Sequence, residues 1–382
     1  MSKIIYKPCL TFTNDFEEIR RQGKALAEQQ TGTYNERKLR LLKEQIGSFM
    51  NTNDSETIER ELYQTIWYYW MYGASIGDYF IYHLWEKPHE EIKTYALLHD
   101  RVEFRNHLNR RADTYLFENK YETFKKFEPY YLRDVEILRS ENDFDKFCDF
   151  VEQHPSIIIK PLDQSNGRGI HFMEIGPEER RDLKKVFLEI LEEGISNQTR
   201  FLQGKDSAII IEEVIRQDDR MSVLHPNSVN GVRVTTVREN GHVHVYGPWL
   251  KVGVNNEVIM SEGRGAIVAG INAETGIVDT VGMTEKGLIF EKHPQSGVQF
   301  NGFVVPEWDF LCKLATAVAQ ELPETLNYVG WDFVLSQNGW CVMEGNDNGD
   351  FLWQMVYQRG MKREFENLIG WSSTKDYWWE EA

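Results

Sequence analysis

Residues 330–351 read GWDFVLSQNGWCVMEGNDNGDF, with three oxygen-bearing side chains, Asp332, Glu344 and Asn346, set among aromatic and aliphatic neighbours. Apolar runs on either side of Gln337-Asn338-Gly339 make the pattern of a β-hairpin. The turn admits two registers. A two-residue Asn-Gly turn sets Glu344 opposite Phe333 and points Asp332 the other way. A three-residue loop with Gly339 in the left-handed bulge position sets Glu344 opposite Asp332. In that second register Trp331, Phe333, Leu335, Cys341 and Met343 share one face, while Asp332, Val334, Val342, Glu344 and Asn346 share the other. A one-residue slip would mix the faces, so burial selects the second register. Two carboxylates and an amide oxygen then cluster on one sheet face. Carboxylates so close repel unless a cation or proton lies between them. Oxygen-only donors suit a hard cation, and one or two carboxylates with substrate phosphates is how magnesium is usually held. An exposed acidic strand end and a glycosidase-like carboxylate pair are the competing readings.

The chain has 382 residues, 41% of them hydrophobic, enough for two or three domains with sizeable cores. A net charge of −17 argues against general binding to nucleic acid or an anionic membrane, while leaving room for a local basic site. Cys9, Cys148, Cys312 and Cys341 are scattered without metal-ligand spacing. With no secretory signal at the N-terminus they read as reduced thiols of a cytoplasmic protein, Cys341 as part of a core. The most apolar aromatic stretch, Ile66 to Leu84, carries Gly73, Asp78 and many tyrosines and is too polar to span a membrane.

Up to about residue 150 the pattern is helical. Asn14 and Ser55 are candidate caps, and Ile58, Leu62, Ile66 and Trp70 recur on one helix face. The aromatic cluster Trp67, Tyr68, Tyr69, Trp70 and Tyr72 reads as core, with a homodimer face as a further use of these helices. From Ser156 the pattern changes to strands: SIIIKPL, IHFMEI and SAIIIEEVI, with a helix between the last two. A hairpin turning at Asn240-Gly241 follows, then an amphipathic helix from Trp308 to Glu321. Strands and helices mix without a strict βαβ period, which favours α+β layers over a doubly wound sheet.

The strand ending at Lys160 runs into DQSNGRGI. Gly167 and Gly169 would let backbone amides approach phosphate oxygens, with Lys160 adding a point charge. No GKS or GKT follows, and a plain turn is the simpler reading. In IIIEEVIRQDD, backbone groups near Glu213 to Ile215 could pair with a base and a later carboxylate with ribose hydroxyls; charges simply solvated after a strand are the plainer alternative.

The order of these parts resembles the ATP-grasp superfamily over roughly residues 115–350. The resemblance implies an α+β fold in which two subdomains grip ATP between two sheets. Lys120, in FENKYETF, and Lys160 look like the phosphate lysines, and Ser165, Gly167, Arg168 and Gly169 like the glycine loop over the phosphates. Glu212, Glu213, Val214 and Ile215 fall at the adenine hinge, and Asp219, or else Asp218, at the ribose. Asp332, Glu344 and Asn346 match the magnesium ligands, with Glu344 bridging. Arg233, Lys251 and Arg264 are the basic residues expected near the γ-phosphate, and His225 has a loop-ordering or acceptor-contacting role open to it.

HPNSVNGVRVTTV and the quoted hairpin resemble the sugar-transfer-associated, or teichuronopeptide-type, branch. The helical N-terminal part departs from the Rossmann-like domain of many superfamily members. The resemblance implies three parts: a helical region 1–115, a central subdomain 116–215, and a C-terminal subdomain 216–382 carrying the metal site. It implies ATP-dependent carboxylate–amine ligation through an acylphosphate, acting on small molecules such as an amino acid, a peptide or a uronic acid. A phosphotransferase on the same fold and a non-catalytic nucleotide-binding protein are the rivals.

Overall fold

A computed structural model describes residues 10–164, 169–196, 208–255, 265–349 and 351–373. Ser165, Gly167, Arg168 and Arg264 lie outside the described residues. The chain forms two compact units, Met1–His107 with Tyr357–Ala382, and Leu108–Val356.

The first unit is helical. Its longer helices are Phe16–Gln29, Glu36–Met50 and Ser55–Tyr72, capped by the side chains of Asp15, Asn35 and Asp54. Two of these caps stand one residue from the Asn14 and Ser55 expected from sequence. In each case a carboxylate takes the cap, and its charge also complements the positive end of the helix. Leu26, Ile46, Leu62 and Ile66 form the core between these helices. Trp67, Tyr68 and Tyr72 are buried, as a core reading requires, while Tyr69 and Trp70 are half-buried. The helix Lys362–Ile369 belongs to this unit and is anchored by Lys362, 3.1 Å from the fully buried Asp100.

The second unit is built on two sheets. Strands β1 (Val135–Leu138), β2 (Ser156–Pro161), β3 (His171–Glu174) and β4 (Ile209–Glu213) form the first, in the order β1-β4-β2-β3. Helices Phe144–Gln153 and Leu183–Ser196 cover one face of it, burying Phe147, Phe150 and Phe187 against Ile157, Ile159, Ile209 and Ile211. Strand alternation sends the residues between these isoleucines to the opposite face, and so Lys160 and Glu212 stand together there.

The second sheet contains β5 (Gly231–Glu239), β6 (His242–Val252), β7 (Ile267–Gly270), β8 (Gly282–Met283), β9 (Ile289–Phe290), β10 (Tyr328–Ser336) and β11 (Gly339–Asn346). Its order is β11-β10-β5-β6-β7-β8-β9, which makes β11 an edge strand. The β5–β6 turn at Asn240 and Gly241 has φ of 49° and 80°, as the Asn-Gly signature demands. Every pairing among the described strands is antiparallel, so the fold is α+β, with no doubly wound sheet. The core face carries Val232, Val234, Leu250, Trp331, Phe333 and Leu335, over which the helix Trp308–Gln320 packs. No described helix is long and apolar enough to cross a membrane.

The hairpin differs from the sequence expectation in an instructive way. Glu344 does pair with Asp332, but the extra residue is not in the turn. Ser336 pairs with Gly339 across a two-residue turn, Gln337-Asn338, and the ladder slips by one residue only after four regular pairs, between Asp332 and Phe333. Met343 is the bulged residue. As a result Val342 and Trp340, not Cys341 and Met343, share the core face with Trp331, Phe333 and Leu335. Cys341 lies beside Val334 on the carboxylate side, and both are fully buried. Gly339 does take a positive φ, 112°.

Candidate functional site

The site is assembled where the open face of the first sheet meets the non-core face of the second. On the second sheet the registers place Glu344, Asp332, Arg233 and Trp249 in one row across β11, β10, β5 and β6. Lys251 lies on the same face, opposite Gly231, and Asn346 lies there opposite Gly330. Arg233 Nη1 donates to Asp332 Oδ2 at 2.9 Å. The guanidinium reaches this position over Gly330, where an added Cβ would come within 2.7 Å of Arg233 Nε. Lys251 is buried, with its ammonium 6.0 Å from the Trp249 ring.

Lys120 comes from the helix Lys120–Phe127, whose first turn is capped by Asn119. Its ammonium lies 4.0 Å from Glu344 and donates to the Gln164 carbonyl. Aromatic packing fixes this helix: Phe127 meets Trp331 edge-on at 5.1 Å. Lys160 Nζ donates to Glu212 Oε2 at 2.7 Å, and both groups are buried.

One residue that carries no signal in the sequence completes the cluster. Arg133, two residues before β1, is buried and donates from Nε to the same Glu212 oxygen at 2.9 Å. Its Nη1 also donates to the Val342 carbonyl at 2.8 Å, and Nη2 to the Met343 carbonyl at 3.4 Å. Burial opposes ionisation of Glu212, but the charges of Arg133 and Lys160 prevail and hold its carboxyl down at about 2. Burial lowers the Lys160 pKa, and Arg133 pushes the same way, against the pull of Glu212. The buried trio carries a net positive charge.

Not every expected residue joins this cluster. Glu213 points to the helix-covered side of the first sheet, where its carboxylate accepts from the Asp134 amide at 3.2 Å, beside His154. Val214 and Ile215 are half-buried on the segment that leaves β4 and crosses to the second sheet, where the Arg216 carbonyl accepts from the Gln337 amide. Gly169 has a φ of 67°. Asp219 is exposed and lines a cavity of about 740 Å³ with Ser222, His225, Asn227, Asn255 and Gln295. His225 orders a loop: Nε2–H donates to the Asn255 carbonyl at 2.7 Å and Nδ1 accepts from the Ser228 hydroxyl at 2.9 Å, which occupies both ring nitrogens.

A family model described as sugar-transfer associated ATP-grasp matches residues 99–369, well over half of the chain, and the chain belongs to that family. No curated protein sequence matches it. Among solved structures it is similar to D-alanyl-alanine synthetase A from Vibrio cholerae O1 biovar eltor. The two are 12% identical over 67% of this chain and 62% of that one, with a TM-score of 0.38. It is similar also to phosphoribosylamine–glycine ligase from Thermotoga maritima, 10% identical over 70% and 57%, with a TM-score of 0.42. N5-carboxyaminoimidazole synthetase from Staphylococcus aureus, solved with ADP, is 9% identical over 64% and 52%, with a TM-score of 0.37. The chain spans less than two thirds of the length of each.

Proposed function

We propose that the chain is an ATP-dependent ligase joining the carboxylate of one small molecule to the amine of another. The observation that carries this reading is a local excess of positive charge. Lys120, Arg133, Lys160 and Arg233 meet Glu212, Asp332 and Glu344, and Lys251 lies on the same sheet face, five cations to three carboxylates among the described residues, in a chain of net charge −17. A triphosphate is the kind of anion that such an excess suits.

The donor set also fits a magnesium ion. Asp332 and Glu344 face one another and Asn346 follows on the same side, all oxygen donors, without thiol or imidazole. Bound there, magnesium supplies neutralisation of charge on the phosphoryl oxygens. Two buried donors on this face, Trp249 Nε1 and Thr235 Oγ1, have no protein acceptor among the described residues, which leaves capacity for an acceptor-rich ligand.

In the proposed reaction Lys120 and Lys160 hold the phosphates, Lys160 exchanging part of its bond to Glu212 for a phosphate oxygen. Backbone groups at Glu213 to Ile215 take the base. Asp219 is retained as the ribose ligand. Arg233 and Lys251 screen the approach of the substrate carboxylate to the γ-phosphorus. The carboxylate oxygen bonds to phosphorus and ADP leaves with the bridging oxygen, which gives an acylphosphate. The amine nitrogen then attacks the acyl carbon, loses a proton, and phosphate departs. The nucleotide is held between the β1–β4 sheet and the β5–β11 sheet, the central and C-terminal subdomains.

The test is incubation with ATP and magnesium across a panel of amino acids, peptides and uronic acids, read by phosphate release and mass spectrometry. Free phosphate with a product lighter by one water than its two precursors supports ligation. A phosphorylated acceptor without free phosphate would make the protein a kinase instead. A chain that binds neither ATP nor ADP with magnesium would refute both.

A further inference from the structure

We propose that Arg133 is a positioning residue that holds the bulge in β11 and thereby sets Glu344 opposite Asp332. The inference concerns how the metal-binding carboxylate is aimed, and it rests on the nucleotide reading above.

In a regular strand successive carbonyls point to opposite sides, so one guanidinium on one side meets every second carbonyl. Arg133 reaches two consecutive ones, Val342 and Met343. That geometry requires the slip at Met343, because a bulge turns neighbouring peptide groups toward the same side. β11 is an edge strand, so these carbonyls have no further strand to pair with. The planar fork of Arg133 is matched to the pair they form, and its Nε is fixed by Glu212, the carboxylate that also holds Lys160. The Tyr131 carbonyl accepts from Nη1 at 3.2 Å, and the Tyr131 ring lies 4.4 Å from the guanidinium carbon, so the side chain has little freedom.

The consequence falls on the next residue. Without the slip, the pairing that runs from Ser336–Gly339 to Phe333–Val342 would continue to Asp332–Met343 and carry Glu344 to the core face. Arg133 therefore links a phosphate-facing lysine on one sheet to a metal-facing carboxylate on the other through a single side chain. Lysine at this position would keep the charge beside Glu212 but lose the fork.

The test compares wild type with Arg133→Lys and Arg133→Met. Three properties are measured: ADP binding without metal by calorimetry, Mn2+ binding in the presence of ADP by water-proton relaxation, and amide exchange of residues 341–345 without ligands. For Arg133→Lys we expect Mn2+ affinity, compared at equal ADP occupancy, at least tenfold weaker than wild type, and faster exchange at 342–345. Deleting Met343 gives a second arm. It brings Glu344 opposite Asp332 with no bulge, so in that background Arg133→Lys should cost Mn2+ affinity less than threefold. An equal loss of Mn2+ affinity in both backgrounds overturns the proposal, as does wild-type Mn2+ affinity and exchange in Arg133→Lys. A wild-type chain that binds neither ADP nor Mn2+ refutes the nucleotide reading instead; unchanged exchange at 342–345 would still overturn the role of Arg133 in holding the bulge.

Discussion

Replacing Glu344 by glutamine removes one charge from the hairpin and very little else. The two carboxylates occupy directly opposed positions, where side chains stand ~5 Å apart. At that separation, with an effective dielectric constant of about 20, two negative charges repel by about 3 kcal/mol. Arg233 offsets this at Asp332, 2.9 Å away, while Lys120 offsets less at Glu344, 4.0 Å away and with 37% of the glutamate side chain exposed. A surface pair of that kind contributes up to about 1 kcal/mol. Loss of the repulsion therefore outweighs loss of the ion pair. The metal-free variant should melt above the wild-type temperature, and magnesium should raise the melting temperature of wild type alone. Turnover is another matter, because in the proposed reaction the lost charge sits where phosphoryl charge is neutralised. We expect a fall of at least about a hundredfold, roughly 2.7 kcal/mol of barrier. Phosphate release under saturating ATP measures it, with differential scanning fluorimetry for stability. Near-normal turnover in a folded Glu344→Gln chain would remove this residue from the metal site.

Lys160→Ala should weaken ADP binding about ten- to hundredfold, the loss of one charge-assisted contact, while Arg133 keeps Glu212 paired; unchanged affinity by calorimetry would show that Lys160 does not reach phosphate. Because the Lys160 pKa is lowered, nucleotide affinity should also decline with rising pH on a limb below the ordinary lysine range, a limb missing from Lys160→Ala. Glu212 has its folded-state pKa held at about 2, below its unfolded value, so the stability it contributes is present above about pH 4.5 and lost as pH falls toward 2. Glu212→Gln should flatten that part of the acid-unfolding curve, by up to about 3 kcal/mol, and an identical curve would contradict the ionised buried trio. Gly330→Ala should leave folding stability within about 1 kcal/mol, since the obstructed group is the end of a flexible side chain. It should nonetheless lift Arg233 off Asp332 and lower turnover at least about tenfold; full activity would show that the contact is dispensable.

Much of the site could be read from local pattern. Alternation in IIIKPL and AIIIEE is enough to place Lys160 and Glu212 on the face that the isoleucines leave free. The Asn240-Gly241 turn and the α+β class follow from equally local signals. Arg133 was illegible for the opposite reason. It precedes a strand in YYLRDVEIL, a place where an arginine is ordinarily solvated, and its partners Glu212, Val342 and Met343 are distant in sequence. Glu213 shows the same limit: a place at a strand end does not say which neighbour a carboxylate will meet, and its own accepts from the Asp134 amide.

The hairpin divides what sequence determines from what tertiary structure decides. Its two apolar runs and polar turn suffice for two paired strands, and alternation suffices to put Glu344 and Asn346 on one side. The position of the extra residue could not be obtained in this way. Burial selects a register only where one face is buried and the other wet, yet Val334 and Cys341 on the carboxylate side are as buried as Phe333 and Val342 behind them. Where both faces are buried, hydrophobic pattern no longer distinguishes one register from the next. The slip is instead settled by Trp331 and Trp340 fitting the core and by an arginine from another sheet that binds two carbonyls only a bulge can present together. These are contacts between residues far apart in the chain, and they exist only once both sheets have formed.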